Sequence, residues 1–320
     1  MLVAGRYGSF EIPDEKDLVA NSLRLYGEWA QTEIDALGNF IEEGSVVVDV
    51  GAFIGTHSRA FSGIVGTSGK VYAFEPNSSI YLLLEENAKK ASLRNIITLP
   101  FALGARGCKM CIANEPYHNN QGATHLDTPS DINDQKGVEV KLLDSFDIGP
   151  IDFIKVDVEG MELEVLMGGE EAINNHTPTI FLEVNSLEDS AGILGWARHR
   201  NYLTYGLIGD AFNPFNFNGA KKNIFGPAAE CGLLLIHEDN VGKFVDHIER
   251  LQLAKVRTID DLALLLLHKF QYVDEVLAQS IAASKLGIGY SSPEQRRTWC
   301  FKLHRNFDKY LLLLKRRLSR

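Results

Sequence analysis

Between residues 45 and 237 the chain alternates short β-branched runs with stretches in which apolar residues recur at helical spacing. That alternation predicts an α/β fold, a mostly parallel sheet covered by helices. Seven strands are expected, at residues 46–50, 70–75, 96–102, 152–157, 179–184, 202–207 and 232–237. A helix is predicted over 78–91, starting at a Ser-rich cap and placing Leu82, Leu83 and Asn87 near one face. A second is predicted over 161–173, ending before the stop signal Asn174-Asn175-His176-Thr177-Pro178.

Two departures from even alternation stand out. Residues 105–147 carry two short strand-like runs, 109–113 and 138–143, separated by polar, Gly-containing sequence. An insertion there is expected over the carboxyl ends of the strands, where open α/β sheets bind ligands. A second long loop is expected at 205–227, rich in Gly, Asn and Phe. From Val241 the pattern turns wholly helical, with helices expected over 241–256, 260–283 and 294–317. The chain therefore divides into an N-terminal helical cap (1–44), a nucleotide-binding α/β domain (45–240) and a C-terminal helical extension (241–320). The apolar faces of that extension must pack on something. Packing on the sheet domain is the favoured reading, with a homo-oligomer interface or a surface-binding device as alternatives.

Composition narrows the classes. With 320 residues, 45% of them hydrophobic, the chain can bury a substantial core without disulfides. A net charge of −10 argues against a nucleic-acid binder, although Lys315-Arg316-Arg317 and Arg320 form a local basic patch. Cys108 and Cys111 form a lone Cys-x-x-Cys pair, which cannot close a tetrahedral zinc shell, and a reducing compartment is implied. No signal peptide is evident, and the longest aliphatic run, 262–267, falls far short of the ~20 residues of a membrane span, so a cytoplasmic enzyme is expected.

The strongest local signal is Val46-Val47-Val48-Asp49-Val50-Gly51-Ala52-Phe53-Ile54-Gly55-Thr56-His57-Ser58, a buried strand running into an acid, a glycine turn and a helix. Gly51 and Gly55 let the backbone pass close to a ligand, and the helix offers its free amides at the same place. A dinucleotide loop would read Gly-x-Gly-x-x-Gly, but Phe53 stands at its second glycine. Asp49 at the strand end would repel a pyrophosphate yet suits a cationic amino-acid moiety. S-adenosylmethionine (SAM) fits better than NAD. On the next strand, Val71-Tyr72-Ala73-Phe74-Glu75-Pro76 ends in a second acid, placed to accept hydrogen bonds from both ribose hydroxyls.

A third motif makes the pattern specific: Lys155-Val156-Asp157-Val158-Glu159-Gly160-Met161-Glu162, followed by Pro178 and Glu183. Together with Asp49-Val50-Gly51-Ala52, Phe74-Glu75-Pro76 and the N-terminal Tyr26-Gly27-Glu28-Trp29 with Glu33, it resembles the FkbM family of methyltransferases over about residues 10–237. The family often has asparagine where this chain has Phe53. The resemblance implies a class I, Rossmann-like methyltransferase that uses SAM, usually acts on oxygen, and takes a sugar, glycan or small natural product as acceptor. Cofactor contacts are accordingly expected from Asp49, Gly51, Ala52, Gly55, Glu75, Ala102 and Asp157.

Methyl transfer is a direct displacement, and an alcohol acceptor must also lose its proton. Asp157 is the first candidate at the cofactor's reactive end and Glu159 the next; as a base either needs a raised pKa or a favourable acceptor geometry. Glu162 serves equally well as a helix cap. For His57, His118 and His125 a surface or structural role is expected. Asp157, Glu159 and Glu183 could also bind a divalent cation, and no metal is assigned. A non-catalytic cofactor-binding scaffold and an NAD-dependent oxidoreductase stay open as alternatives, while RNA methylation is disfavoured by the acidic balance.

Overall fold

The computed structural model describes residues 1–13, 17–112, 126–127 and 137–269. His118, His125, the predicted helix 294–317, the basic patch at 315–320 and most of helix 260–283 lie outside the described residues.

The N-terminal 44 residues are not wholly helical. A hairpin of β1 (Leu2–Gly5) and β2 (Gly8–Glu11) precedes α1 (Leu18–Tyr26) and α2 (Gln31–Leu37). The hairpin strands are four residues each, too short for a clear period-2 pattern. Asp17 caps α1 by accepting from the Ala20 amide, and Gly27 closes it in the left-handed conformation.

The central sheet runs β3 (Val46–Val50), β4 (Lys70–Phe74), β5 (Ile96–Leu99), β10 (Phe153–Val156), β11 (Thr179–Glu183), β12 (Tyr202–Asp210), β13 (Ala229–His237) and β14 (Ala254–Lys255). Its spatial order is β14-β12-β13-β11-β10-β3-β4-β5. Strands β5, β4, β3, β10 and β11 are mutually parallel, while β13 lies antiparallel between β11 and β12. The seven predicted strands are present at shifted ends, and β14 adds an eighth. Only Ala254 and Lys255 form it, so the tail after Val241 is not wholly helical as expected. The helix predicted over 241–256 ends at Arg250 (α8, Val241–Arg250), and α9 spans Ile259–Leu266.

Chain direction reverses about β3. From it the chain moves outward to β4 and β5, then returns on the other side to β10 and β11. The carboxyl ends of β3 and β10 therefore flank the topological switch point, where such sheets open a crevice. Val47, Val48, Phe153, Ile154, Ile180 and Phe181 are almost completely enclosed, which explains the continuous apolar runs of these strands. Between the strands lie α3 (Thr56–Val65), α4 (Ser78–Lys89) and α7 (Leu187–His199).

The face predicted for α4 is rotated. Leu82 is exposed, and the buried stripe is Ile80, Leu84 and Asn87, at i, i+4 and i+7. The buried Asn87 amide accepts from the Glu11 amide and donates to the carbonyls of Glu11 and Ile54, tying hairpin and glycine loop to one helix.

The third predicted strand breaks at Pro100, which has no N–H for a ladder. Beyond it, β6 (Ala102–Leu103) leaves for a four-stranded sheet with β7 (Cys108–Ile112), β8 (Leu126–Asp127) and β9 (Gly137–Lys141), in the order β6-β9-β7-β8. The single helix expected over 161–173 is two, α5 (Glu162–Gly168) and α6 (Glu170–His176), divided at Gly168-Gly169. Gly168 allows the turn after β6 to approach α5, since a Cβ there would lie 2.1 Å from the Gly104 carbonyl oxygen. Because that atom is backbone, Gly168→Ala is expected to cost about 1–3 kcal/mol. Urea unfolding should show a lower midpoint with an unchanged slope.

Candidate active site

Asp49, at the fourth residue of β3, is fully buried. Its Oδ2 accepts from Ser58 Oγ at 2.5 Å, one turn into α3, and its Oδ1 has no hydrogen-bond partner among the described residues. Directly across the parallel ladder stands Lys155 of β10, with Nζ 3.5 Å from Asp49 Oδ1 and 3.1 Å from Asp157 Oδ2. Burial opposes the Lys155 charge, but Asp157, Asp49, Glu33 and Glu183 outweigh it and hold the ammonium above its ordinary range.

The glycine loop is held against these strand ends by its own backbone. The amides of Gly51 and Ala52 donate to the Phe74 carbonyl at 3.0 and 2.9 Å, which stitches the loop to the end of β4. Gly51 has φ 75°, and a Cβ would lie 1.9 Å from the Asp157 carbonyl oxygen, so no other residue fits. Phe53 also takes a positive φ, 49°, unusual for an aromatic residue, and it packs against the apolar cluster that includes Phe10, Ile54 and Ile80. The strain is supported by the Phe53 amide, which donates to Glu75 Oε2 at 3.1 Å. Gly55 then caps α3.

Glu75, just past β4, accepts from Asn77 N at 2.8 Å with its other oxygen. Burial pushes its carboxyl up to about 7 against these two amides. Asp49, Gly51, Ala52, Gly55, Glu75 and Asp157 are thus brought together at the switch point. Ala102 belongs instead to the small sheet, where it is buried against Val138 and Val140.

Beyond β10 the chain turns through Glu159, at φ 26°, and Gly160 before entering α5. Glu162 is the first residue of α5 and reaches back to the turn, its Oε1 accepting from the Gly160 amide at 3.1 Å; no side chain caps the helix. Asp157 follows Val156 as Glu183 follows its ladder partner Leu182 on the neighbouring strand; burial and that second carboxyl raise the Asp157 pKa. Glu159 Oε2 accepts from Asn185 Nδ2 at 3.2 Å. Burial, then Asp157, Glu183 and Glu162, push the Glu159 carboxyl up to about 8.

His57 is buried, with Nε2 3.0 Å from Glu33 Oε1. Burial and Lys155 depress the imidazole to about 3, and burial lifts Glu33 to about 7. A neutral histidine tied to α2 is the structural role the sequence suggested.

Three participants escaped the sequence. Lys269, three residues past α9, is completely buried with Nζ 2.9 Å from Glu183 Oε1 and 2.8 Å from Glu230 Oε2. Its ammonium also donates to Asn185 Oδ1. Lys269 and Glu230 lie in no motif, and Asn185 is signalled only by standing two residues beyond Glu183.

These raised carboxyls make stability depend on pH. Glu33, Glu75, Glu159 and Glu162 hold protons in the folded chain that the unfolded chain, with an ordinary value of 4.5, has released. Their contribution is full below 4.5 and is lost as the pH rises through about 7 to 8. The urea midpoint is therefore expected to fall most clearly between about pH 7.5 and pH 8.5, above the midpoint near 6.5 at which unfolded His57 loses its proton and at which His57 acts in the opposite direction. Glu159→Gln should flatten the upper part of the fall; equal slopes in the two proteins would contradict the assignment.

Residues 49–204 match the methyltransferase FkbM domain. The hexuronic acid methyltransferase AglP of Haloferax volcanii is 33% identical over 134 residues, which are 42% of this chain and 54% of that protein. The chain thus spans about half the length of that relative. Among solved structures, methyltransferase FkbM from Methylobacillus flagellatus is 18% identical, over 60% of this chain and 44% of that one, with a TM-score of 0.39. A SAM-dependent O-methyltransferase from Thermotoga maritima is 14% identical, over 74% and 77%, with a TM-score of 0.41. The likeness to the FkbM methyltransferases is thus carried by the domain at residues 49–204.

Proposed function

We propose that the chain is a SAM-dependent methyltransferase that O-methylates a hydroxyl of a sugar or glycan. The observation that carries this reading is the acidic cradle around Gly51. A turn that admits no Cβ is flanked by Asp49 and Glu75 at adjacent strand ends, and the buried Asp49 Oδ1 lacks a hydrogen-bond donor. Carboxylates so placed repel a pyrophosphate and suit a ligand carrying an ammonium, a sulfonium and two ribose hydroxyls. SAM therefore fits the residues present and NAD does not.

Asp49 would face the cationic amino-acid end, Gly51, Ala52 and Gly55 would run along the ligand, and Glu75 would accept from the ribose. When bound, SAM supplies an electrophilic methyl group. Asp157 and Glu159, at the end of β10, are the groups proposed to meet the acceptor. A carboxyl raised to about 8 is better matched to taking a hydroxyl proton than an ordinary glutamate.

A hexuronic acid is the acceptor to try first, because AglP, by name, methylates one. In this chain, the ammonium groups described at the site are both engaged with carboxylates, so an acceptor carboxylate would have to be met elsewhere on its rim.

Isothermal titration with S-adenosylhomocysteine tests the cofactor. Micromolar binding is expected, weakened at least about tenfold by Asp49→Ala and by Glu75→Ala, each of which removes a charged hydrogen-bonding partner. A folded wild-type protein that binds nothing would overturn the reading. For the transfer step, Glu159→Gln should lower kcat by about 10²–10⁴-fold. The dissociation constant for S-adenosylhomocysteine should change little, and the wild-type rate should rise towards about pH 8 with a glucuronic acid glycoside as acceptor.

A further inference from the structure

Lys269 lies well outside the FkbM match at 49–204, yet its ammonium is enclosed between the carboxyl end of β11 and the amino end of the antiparallel β13. An ammonium has three protons and no acceptor. Here each has an oxygen: Glu183 Oε1 beyond β10 on β11, Glu230 Oε2 on β13, and Asn185 Oδ1. Burying an ammonium is costly unless it is paired, so this arrangement holds Lys269 and its partners in one geometry.

Two paths lead from Lys269 to the candidate acids. Through Glu183 it reaches Asp157, which follows Val156 as Glu183 follows its ladder partner Leu182 on the adjacent parallel strand. Through Asn185 it reaches Glu159. A donor-only ammonium can face just the oxygen end of the Asn185 amide, and this turns Nδ2 towards Glu159 Oε2. A flipped amide would set two donors against each other at Lys269 and two acceptors against each other at Glu159.

We propose that Lys269 is a positioning residue for methyl transfer: from a segment outside the family domain it sets the charge on the Asp157–Glu183 pair and the orientation of Asn185 towards Glu159. The inference rests on the reading of Asp157 and Glu159 as the acids that meet the acceptor. The other charged or titratable groups facing these carboxyls are Lys155 on β10, Asp49 on β3, Glu33 on α2, His57 on α3, Glu75 past β4, Glu162 on α5, and Glu230 and Cys231 on β13. Among the described residues the cations of this cluster are Lys155 and Lys269, and the loss of either is felt across it.

The test is a carbon-13 titration of side-chain carboxyls in the full-length chain, with Asp157 and Glu159 resonances assigned by Asp157→Asn and Glu159→Gln. Lys269→Met removes a positive charge from beside Glu183, and the Asp157 midpoint should rise by about one pH unit or more. Glu230→Gln keeps Lys269 but removes its other counter-charge, and the midpoint should fall. This second variant decides the matter if Lys269→Met does not fold. A purely structural lysine predicts midpoints that stay in place or move together; either result would overturn the proposal. Where methyl transfer is measurable, the acid limb of kcat/KM should move in the same two directions. The carboxyl titration does not require turnover, so it separates failure of this proposal from failure of the methyltransferase reading.

Discussion

Lys155 is the charge around which the site is built. It is enclosed in the middle of a parallel sheet, directly opposite Asp49 in register and two residues before Asp157. Residues two apart on a strand share a face, so the ladder itself places Lys155, Asp157 and Asp49 together. Each of these groups would be expensive to bury alone. Removing one partner of such a buried pair typically costs about 3–5 kcal/mol, because the other charge is left uncompensated. The glycine turn depends on the same spot, since Gly51 packs against the Asp157 carbonyl and the loop hangs from Phe74 of the neighbouring strand.

Around that ion pair the acids outnumber the cations. Asp49, Asp157, Glu159, Glu162, Glu183, Glu33 and Glu75 converge near Lys155 and Lys269. Burial and mutual repulsion resolve the excess by raising several carboxyls to about 7 or 8, where protons are held or released near neutral pH. Elements remote in sequence maintain this balance. The hairpin and α2 bring Glu33 to His57, while the segment after α9 brings Lys269 to Glu183. The acidic crevice is thus a property of three regions of the chain, only one of which carries the family domain.

The loop between β12 and β13 is anchored by the same economy of buried charge. Glu28, next to the closing glycine of α1, accepts from Arg6 Nε, Asn213 Nδ2 and the Phe217 amide. One carboxylate therefore ties the hairpin, the first helix and the loop at residues 211–228 into a single rim. Tyr26 reinforces it, accepting from the Ile224 amide, donating to the Lys222 carbonyl and packing against Phe212 and Phe225.

Much of this was determined by the sequence alone. Continuous apolar runs ending in acids located β3, β4 and β10, because only doubly covered strands afford such runs and only a strand end leaves a carboxylate near solvent. The spacing of Asp49, Gly51, Gly55, Glu75 and Asp157 marked the switch point for the same local reason. Tertiary structure decided what spacing cannot encode. Pro100 sent Ala102 out of the main sheet into the small one, and packing rather than pattern selected Ile80, Leu84 and Asn87 as the buried face of α4. Lys269, Glu230 and Asn185 were invisible because their meaning lies in contacts between segments far apart in the chain, two strands, a loop and the stretch after a short helix. An isolated lysine in a sequence reads as a solvated surface charge, and only its enclosure beside β11 and β13 makes it a buried one.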